Sequence, residues 1–448
     1  MAERFDVVVI GMGPGGEVAA SRLISGGKRI AVVERELIGG ECGYWACIPS
    51  KTLLRPPEVR NEARRAFGTD TPALTLEEVF DYRDYMIRHL DDAAQVEGYE
   101  EKGARVFKGE GRIAGPGRVE VNGETIEASH IIVATGSEPN VPPIEGLDDV
   151  TVWTNREVTT SREVPGRALI VGGGPNGIET AQWLTRFGSE VTIVQSADHL
   201  INREDAQVGE LARKYLEEEG VRVLTGRKAV RARRNGEAAT IELDDGTQVE
   251  ADVVVIAAGR TPRTEGLGLE NVGVEPLPKG LPVDDRCRLA EGVWALGDVT
   301  GVALFTHVAK YQGRVVADNI LGRERRADYR GIPRVVFSDP EIAACGLTEE
   351  QARAQGIDAT VASIDLAESI ARPYTYEENP RGTLSLVADR ERGVLVGAWA
   401  VAPLAGEWIH EAALAIRAEI PIEKLLDSVA QFPTYSEAYL QALEKLEL

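Results

Sequence analysis

Blocks of β-branched apolar residues, each followed by glycines and a helical stretch, predict an α/β fold. Near the start, FDVVVIGMGPGGEVAASRL predicts a strand, a glycine turn and a helix, and RIAVVE, ending at Glu34, predicts the next strand. The same order returns in RALIVGGGPNGIETAQWL, with EVTIVQ ending at Gln195. The two copies begin at Gly11 and Gly172, and they predict two βαβ dinucleotide-binding units.

The rest of the chain predicts further elements. A capping box, Thr75-x-x-Glu78, predicts the start of a helix. The Asn122-Gly123 pair lies in a β-rich stretch and predicts a hairpin turn. The segments PRVVFSD, GTLSLVAD and GVLVGAWAV predict strands in the last third of the chain, and helices are expected from about Gly406 to the end.

Charge and composition narrow the class of protein. The 448 residues include 72 acidic and 50 basic ones, for a net charge of −22. This surplus argues against a nucleic-acid binder or an anionic-membrane binder, because both need a positive face. The start lacks the pattern of a signal peptide, and no apolar run approaches the roughly 20 residues of a membrane span. We therefore expect a cytoplasmic enzyme.

The first glycine turn has the chemistry of a pyrophosphate site. In Gly11-x-Gly13-x-x-Gly16, the first glycine permits a tight turn, the second admits a pyrophosphate, and the third lets helix and strand pack closely. The following helix offers free N–H groups and a positive dipole end to the phosphates. Glu34 follows at the position where a carboxylate accepts hydrogen bonds from ribose hydroxyls.

The second glycine turn differs at that acidic position. It reads Gly172-x-Gly174-x-x-Gly177, and Gln195 stands where the first copy has Glu34. A neutral side chain does not repel the 2′-phosphate of NADP, so the sequence leans towards NADPH over NADH. Three residues that follow could meet that phosphate: Ser196, His199 and Arg203. The alternative is that the arginine only pairs with its acidic neighbours.

A pair of cysteines follows the first βαβ unit. Cys42 and Cys47 lie close to a predicted helix start at Pro49–Lys51, and a helix N-terminus lowers the pKa of a thiol. Such a thiolate can exchange two electrons with a flavin. The alternatives are a buried structural pair or half of a zinc site, but Cys287 and Cys345 lack the spacing that zinc needs, so no metal is expected.

Together these motifs resemble the pyridine nucleotide-disulfide oxidoreductases, which include dihydrolipoamide dehydrogenase, glutathione reductase and mercuric reductase. The likeness covers almost the whole chain. The matching segments are Gly39-Gly40-x-Cys42-x4-Cys47-x-Pro49-Ser50-Lys51, Ala134-Thr135-Gly136-Ser137-x-Pro139, Ala258-Gly259-Arg260-x-Pro262, Ala295-Leu296-Gly297-Asp298 and Pro340-Glu341-Ile342-Ala343.

The resemblance implies an architecture and a set of partners. It implies two Rossmann-like dinucleotide-binding domains and a C-terminal α+β dimerisation domain. The FAD-binding domain would span 1–147 and 281–325, the NAD(P)-binding domain 148–280, and the dimerisation domain 331–448. FAD and either NADPH or NADH would be the cofactors. The protein would be a homodimer with a shared active site and a small-molecule acceptor, a disulfide, a quinone or a similar compound.

The resemblance also implies individual roles. Cys47 would be the charge-transfer thiolate against the flavin, and Cys42 the interchange thiol that attacks the substrate. Lys51 would lie near flavin N5, paired with Glu179. The helix after FTH would direct its positive end at the flavin N1–C2=O edge. Further cofactor-binding positions are implied by the matched segments: Gly40, Thr135, Gly136, Gly259, Asp298 and His307.

One position departs from the family pattern. Near the C-terminus the family carries a His-Pro-Thr-x-Ser-Glu motif whose histidine is the general acid and base, supplied by the partner subunit. Here the segment is FPTYSE, with Phe432 at the histidine position and Glu437 retained. Proton-transfer help worth roughly 10²–10⁴-fold is therefore missing. Candidates to replace it are Tyr435, Glu437, Tyr439 and His410.

The change leaves several functions open. The leading hypothesis is an FAD-dependent NAD(P)H oxidoreductase that passes two electrons through the thiol pair to a disulfide or related acceptor. An NAD(P)H:quinone or diaphorase-type reductase would bypass the thiols. A mercuric-reductase-like variant is disfavoured because no thiol follows Cys345, and a variant like ketopropyl-coenzyme M carboxylase because Glu437 remains. A flavoprotein with a binding role only is the remaining class.

Two large aromatic residues, Tyr44 and Trp45, stand between the cysteines where the family has small and amide residues. We expect them either to reshape the substrate entrance or only to pack against the helix start. The sequence leaves both interpretations open.

Overall fold

The computed structural model of the protein describes residues 3–236 and 238–448. Its contacts divide the chain into two compact units. The first contains the residues up to Ser50, Asp81–Asn140 and Gly259–Asp328, and the second contains Lys51–Phe80, Val141–Ala258 and Tyr329–Leu448. The predicted division into three domains stays a prediction. Met1, Ala2 and Glu237, which fall within the predicted FAD and NAD(P) domains, lie outside the described residues.

The first unit is built on a mainly parallel sheet, whose central strands are buried on both faces. Parallel strands sheltered on both sides are expected to be continuous β-branched runs, as VVVI and IAVV are. In spatial order the strands are Arg288–Ala290, Val293–Ala295, Glu124–Val133, Glu3–Ile10, Ile30–Glu34 and Arg105–Lys108. An antiparallel extension carries Gly111–Gly115 and Arg118–Val121, and a separate ribbon pairs Ser137–Pro139 with Arg260–Pro262.

Helices cover this sheet. Pro14–Ser25 and Thr306–Ile320 pack against each other through small and apolar side chains, among them Ala19, Ala20 and Val316. The other helical segments assigned wholly or partly to the first unit are Gly40–Tyr44, Cys47–Arg65, Leu76–Met86 and Ala93–Glu101, with short 3₁₀ turns at Arg88–Leu90, Leu269–Val272 and Asp298–Thr300.

The second unit contains its own parallel sheet, with strands in the order Arg222–Thr225, Glu190–Gln195, Arg167–Val171, Val253–Ile256 and Val152–Trp153. An antiparallel sheet of Ala229–Asn235, Ala238–Leu243 and Gln248–Ala251 packs on it through a shared apolar cluster. The helices of this part are Asn155–Thr160, Pro175–Arg186 and Ala206–Glu218, with a 3₁₀ turn at Leu147–Asp149.

An antiparallel sheet forms the C-terminal part of the second unit. Its strands lie in the order Pro333–Val336, Glu341–Gly346, Val394–Ala402, Thr383–Asp389 and Ala359–Asp365. Helices on this part of the chain are Glu349–Ala354, Leu366–Ser369, Arg372–Tyr376, Ala405–Trp408, His410–Ala418, Ile422–Leu426 and Glu437–Leu443. The described helices include none with both the length and the apolar composition that a membrane crossing requires.

The main sequence predictions of the fold are confirmed. Both βαβ units form, with helices Pro14–Ser25 and Pro175–Arg186 directly after their glycine turns. Asn122 and Gly123 both adopt positive φ, at 51° and 80°, and they close the hairpin in which Val121 faces Glu124. The predicted α/β class, with two dinucleotide-binding folds and a C-terminal α+β part, is confirmed.

The first residue of the strand Glu341–Gly346 predicts a pH dependence of stability. Burial raises the pKa of the Glu341 carboxyl to about 7, and nearby Glu58, Glu407 and Asp339 add to the effect, although Gly406 N–H donates to it at 2.7 Å. Because the pKa is raised in the folded state, this carboxyl contributes a stabilisation that is fully present below its unfolded-state pKa of about 4.5. That stabilisation is lost as the pH rises to about 7.

We expect Glu341→Gln to remove this loss, because the amide oxygen can still accept from Gly406 while no charge is buried. The free energy of unfolding of the variant, relative to the wild type, should rise by about 1–3 kcal/mol between pH 5 and pH 8. Denaturant titrations at the two pH values measure this difference. The matched control is Glu378→Gln, at an exposed position. An equal difference from wild type at both pH values would contradict the prediction.

Candidate active site

Cys42 and Cys47 form a disulfide, with their Cα atoms 4.6 Å apart. Cys42 lies on the short helix Gly40–Tyr44, and Cys47 is the first residue of the helix Cys47–Arg65. The predicted helix start at Pro49 is therefore two residues late. Pro49 falls in the first turn, where a missing N–H leaves no helix hydrogen bond unmade. As a result, Cys47 lies directly at the positive end of a long helix.

A threonine outside the sequence-predicted site residues lies against both sulfur atoms. The Oγ1 atom of Thr306 is 3.0 Å from Cys42 Sγ and 3.3 Å from Cys47 Sγ. Thr306 is the first residue of the helix Thr306–Ile320, so the N-terminus of that helix also lies beside the disulfide. The next residue, His307, is exposed, and its ring stacks on Phe305 at 5.2 Å.

The two aromatic residues between the cysteines separate into different environments. Tyr44 is completely buried, and its hydroxyl donates to the carbonyl of Ile38 at 3.1 Å. Its ring also closes over Gly39, where an added Cβ would lie 3.0 Å from the ring edge. The packing interpretation therefore holds for Tyr44. Trp45 is only half-buried, with its ring 5.7 Å from that of Tyr44.

The first phosphate loop has the shape that its glycines predict. A Cβ on Gly11, at φ 97°, would lie 2.4 Å from the carbonyl oxygen of Ala134, and one on Gly16 would lie 2.2 Å from that of Gly11. A Cβ on Gly13 would meet no protein atom within 4 Å. Gly13 precedes the helix Pro14–Ser25, and its open side is the room that a pyrophosphate needs at a helix N-terminus.

Two carboxylates accompany this loop. Glu34 accepts from the backbone N–H of Met12 at 2.7 Å, and burial raises the pKa of its carboxyl. Asp298 accepts from the hydroxyl of Ser137 at 2.6 Å, and burial raises its pKa as well. Gly40 backs onto the loop, because a Cβ there would lie 2.8 Å from the Cα of Gly13.

Two of the matching segments, those that contain Thr135 and Gly259, meet in the ribbon of the first unit. Thr135 donates its hydroxyl hydrogen to the carbonyl of Arg263 at 2.8 Å, and Gly136 has φ 73°. On the other segment, Gly259 has φ 102° and accepts from the backbone N–H of Asn140 at 3.0 Å. Arg260 donates to the hydroxyl of Ser137 at 2.7 Å, which ties the ribbon to Asp298.

The second phosphate loop repeats the geometry of the first. A Cβ on Gly172 would lie 2.3 Å from the carbonyl oxygen of Ala257, and one on Gly177 would lie 2.0 Å from that of Gly172. Gly174 is open in the same way as Gly13. Gln195 accepts from the N–H of Gly173 at 3.2 Å, as Glu34 does from Met12.

Among the residues that follow Gln195, Arg203 is an exposed cation. Ser196 and Arg203 are both exposed, and in the described parts of the chain Arg203 forms no ion pair with its acidic neighbours. Glu204 is bound instead by Arg334 at 2.8 Å. His199 is half-buried, with Nδ1 at 2.8 Å from the carbonyl oxygen of Leu200. The pairing of Arg203 with its acidic neighbours, the alternative to a phosphate contact, is therefore absent from the described residues.

Lys51 and Glu179 form the expected ion pair within the second unit. The Lys51 Nζ lies 2.7 Å from Glu179 Oε2, and the Glu179 side chain is almost completely buried while that of Lys51 is about one-third exposed. The other carboxylate oxygen accepts from the backbone N–H of Phe337 at 3.0 Å. A buried carboxylate with both oxygens bound holds the lysine in one place.

The C-terminal segment contains Phe432, at the position where the family resemblance implies that a proton-donating histidine is missing. Phe432 is 73% exposed. Tyr435 is buried, its hydroxyl finds no partner among the described residues, and burial raises its pKa, which keeps it protonated at neutral pH. Glu437 has one buried oxygen that is unpaired in the described chain. Tyr439 is buried and donates to the carbonyl of Trp408 at 3.2 Å, whereas His410 is exposed.

Two profiles of one known protein family together match nearly the whole chain. The profile of the pyridine nucleotide-disulphide oxidoreductases matches residues 5–313, and the profile of the dimerisation domain of the same family matches residues 332–443. The chain belongs to the pyridine nucleotide-disulphide oxidoreductases. It is therefore a flavin-dependent enzyme that uses a pyridine nucleotide, and its dimerisation domain supports a homodimer.

Relatives and solved structures agree with this assignment. The chain is 37% identical to a dihydrolipoyl dehydrogenase of Thermus scotoductus, over 99% of this chain and 97% of that protein. It is 33% identical to a mercuric reductase of Staphylococcus aureus, over 97% of this chain and 81% of that one. The Cu(II) complex of the Escherichia coli flavoprotein disulfide reductase RclA superposes with a TM-score of 0.86 at 28% identity, covering 98% of this chain and 99% of that one. LpdA of Mycobacterium tuberculosis gives 0.88 at 29%, covering 99% of each.

If the first glycine loop holds FAD, substitutions at Gly13 and Gly16 should separate an effect on FAD binding from an effect on folding. We expect Gly13→Ala to weaken FAD binding at least about tenfold, because its Cβ occupies the room for the pyrophosphate and touches no protein atom. Gly16→Ala should instead destabilise the fold by about 1–3 kcal/mol, because its Cβ overlaps the Gly11 carbonyl.

Flavin fluorescence titration and denaturant unfolding measure the two effects. Gly174→Ala, at the equivalent open position of the second loop, is the matched control, and it should leave FAD binding unchanged. Wild-type FAD affinity in Gly13→Ala would contradict this view of the loop.

Proposed function

We propose that this oxidoreductase passes two electrons from NADPH through the Cys42–Cys47 pair to a small-molecule disulfide or a related soft acceptor. The observation that carries the proposal is the disulfide at the N-termini of two long helices, beside the hydroxyl of Thr306. FAD, when bound, would supply the two-electron carrier between the nicotinamide and the sulfur pair. Cys42 is the interchange thiol and Cys47 the charge-transfer thiol.

The surrounding residues support this division of roles. Cys47 opens the helix Cys47–Arg65, whose dipole stabilises a thiolate there. Once the disulfide is reduced, the Thr306 hydroxyl can donate a hydrogen bond to that thiolate. Lys51, fixed by Glu179, supplies a positive charge that favours electron transfer to the flavin.

The residues that would hold FAD fit the group. Gly11, Gly13, Gly16 and Gly40 shape the pyrophosphate turn. Other residues would bind the rest of FAD. Glu34 would bind the ribose and Asp298 the ribityl chain. The positions implied near the flavin ring are Thr135, Gly136 and His307. The second loop, with Gly172, Gly174 and Gly177, would hold the nicotinamide nucleotide. Gly259, another position implied by the matched segments, directly precedes the strand Arg260–Pro262.

The residues at and after the end of the strand Glu190–Gln195 favour NADPH over NADH. Gln195 keeps the hydrogen bond to the loop that Glu34 makes in the first unit, but it adds no negative charge. Arg203 is exposed and unpaired among the described residues, so its charge is available to a 2′-phosphate.

The nucleotide preference is tested by charge changes at these positions. We expect Arg203→Ala and Gln195→Glu each to lower kcat/KM for NADPH about tenfold, and to leave kcat/KM for NADH within about twofold, because one removes an attraction and the other adds a repulsion. Arg213→Ala, which removes a half-buried arginine paired with Glu217 on the helix Ala206–Glu218, is the control. Equal losses with both nucleotides would count against the preference for NADPH.

Phe432 decides which acceptors suit the enzyme. Phenylalanine carries no proton, and Tyr435 stays protonated at neutral pH. We infer that Glu437 is the remaining acid or base of the segment, because one of its oxygens is buried without a partner in the described chain. Acceptors that need little proton transfer are therefore favoured.

A soft or redox-active metal ion is the second candidate substrate. A metal ion needs no protonated leaving group, so the loss of the histidine costs little in its reduction. Two similar proteins point the same way: one is named a mercuric reductase, and the RclA structure is a Cu(II) complex. A dithiol can bind such an ion directly.

Removal of the interchange thiol separates the acceptor classes. We expect Cys42→Ala to lose at least about 100-fold in turnover of a disulfide substrate. Turnover of a quinone should be retained, because that reaction bypasses the thiols. Parallel assays with lipoamide, 5,5′-dithiobis(2-nitrobenzoate), Cu(II), Hg(II) and a quinone give the profile. Cys287→Ala is the buried-thiol control. Undiminished disulfide turnover in Cys42→Ala would refute the thiol route.

Restoring the family histidine tests the cost of Phe432. We expect Phe432→His to raise turnover of a disulfide at neutral pH about tenfold or more, because a general acid returns to the site. Phe432→Leu is the control and should match the wild type. No gain from the histidine, with Cys42 still reactive towards iodoacetamide, would show that another residue already supplies the proton.

A further inference from the structure

The ion pair of Lys51 and Glu179 has a third member, Phe337. The Lys51 Nζ lies 4.8 Å from the centre of the Phe337 ring. The backbone N–H of Phe337 donates to Glu179 Oε1 at 3.0 Å, while Lys51 holds Glu179 Oε2 at 2.7 Å. The same residue thus contacts the cation with its ring and the anion with its backbone.

The segment that carries Phe337 is held firmly to the helix Pro175–Arg186. One turn after Glu179, the buried Gln182 side chain makes two hydrogen bonds to the backbone of Asp339: Asp339 N–H donates to Oε1 at 2.8 Å, and Nε2 donates to the Asp339 carbonyl at 3.0 Å. The Asp339 carboxylate is bound at 2.9 Å by each of three arginines, Arg65, Arg186 and Arg381. Phe337 therefore cannot move away without breaking a buried network.

We propose that Phe337 is a positioning residue that fixes the Lys51 ammonium at one place, through its ring face and through the hydrogen bond from its N–H to Glu179. An aromatic face attracts an ammonium group most where the group is partly desolvated, and Lys51 is only about one-third exposed. The inference rests on the proposed function, in which Lys51 faces the flavin. It extends that function to a residue outside the matched motifs.

The alternative is that Phe337, at 41% exposure, is only an apolar cover over the ion pair. A cover would be replaced without loss by any side chain of similar size. A positioning residue requires an aromatic face, so tyrosine should substitute for it while leucine and methionine should not. This difference makes the proposal testable.

The experiment uses the FAD-loaded dimer. It compares three variants of the ring, Phe337→Leu, Phe337→Met and Phe337→Tyr, with the lysine variant Lys51→Met. It also includes the double variant Lys51→Met/Phe337→Leu. Two quantities are measured: the rate of flavin reduction by NADPH in stopped flow, and the midpoint potential of the bound flavin. The control is Phe67→Leu, which removes an exposed ring from elsewhere in the second unit.

We expect Phe337→Leu and Phe337→Met to slow flavin reduction about two- to fivefold and to shift the midpoint potential to more negative values. Phe337→Tyr and Phe67→Leu should match the wild type in both measurements. The double variant should equal Lys51→Met alone, because the ring acts through the lysine.

Three results would overturn the proposal. The first is a wild-type potential and rate in both Phe337→Leu and Phe337→Met while Lys51→Met changes them. The second is a double variant whose losses add, which would show that the ring does not act through Lys51. The third is an unchanged potential and rate in Lys51→Met, and this result alone would also refute the role that the proposed function gives to that lysine.

Discussion

The chemistry proposed for this protein depends on two sulfur atoms held against one hydroxyl. Cys42 ends up there because the buried Tyr44 anchors its short helix, with the ring closed over Gly39 and the hydroxyl bound to Ile38. Cys47 ends up there because it begins a long helix, and Thr306 because it begins another. Two helix N-termini and a hydroxyl favour negative charge on sulfur, which is the state that the reduced pair must adopt.

The two glycine loops have the same backbone geometry, although the family binds a different nucleotide at each. In each loop the third glycine passes within contact distance of the first, and a Cβ on the middle one would meet no protein atom within 4 Å. In each βαβ unit, the last residue of the strand after the helix accepts a hydrogen bond from a backbone N–H of the loop. The acceptor is the carboxylate of Glu34 in the first unit and the amide oxygen of Gln195 in the second. The structural hydrogen bond is thereby kept while the charge of the side chain at the end of the strand is changed. Under the proposed function, this separation would let nucleotide preference vary without disturbing the fold.

Local patterns were sufficient for the strands, the glycine turns and the Asn122–Gly123 hairpin, because each depends on residues that are near in sequence. The redox role of the cysteine pair followed only from the family resemblance, because the residues alone also allowed a buried structural pair or half of a zinc site. The start of the long helix was placed two residues late, since Pro49 is tolerated in a first turn and so does not mark its beginning. Thr306 and Phe337 could not be found this way. Thr306 lies 264 residues from Cys42 in sequence, and Phe337 lies 158 residues from Glu179. Only tertiary packing brings such residues together.

Anaerobic titration of the FAD-loaded dimer with NADPH tests the central claim most directly. If Cys47 becomes a thiolate against the flavin, two-electron reduction should produce a long-wavelength charge-transfer absorbance, and that absorbance should weaken when Thr306 is replaced by valine. Reduction of the flavin with no such absorbance at any stage, and with no free thiol released from Cys42, would contradict the account.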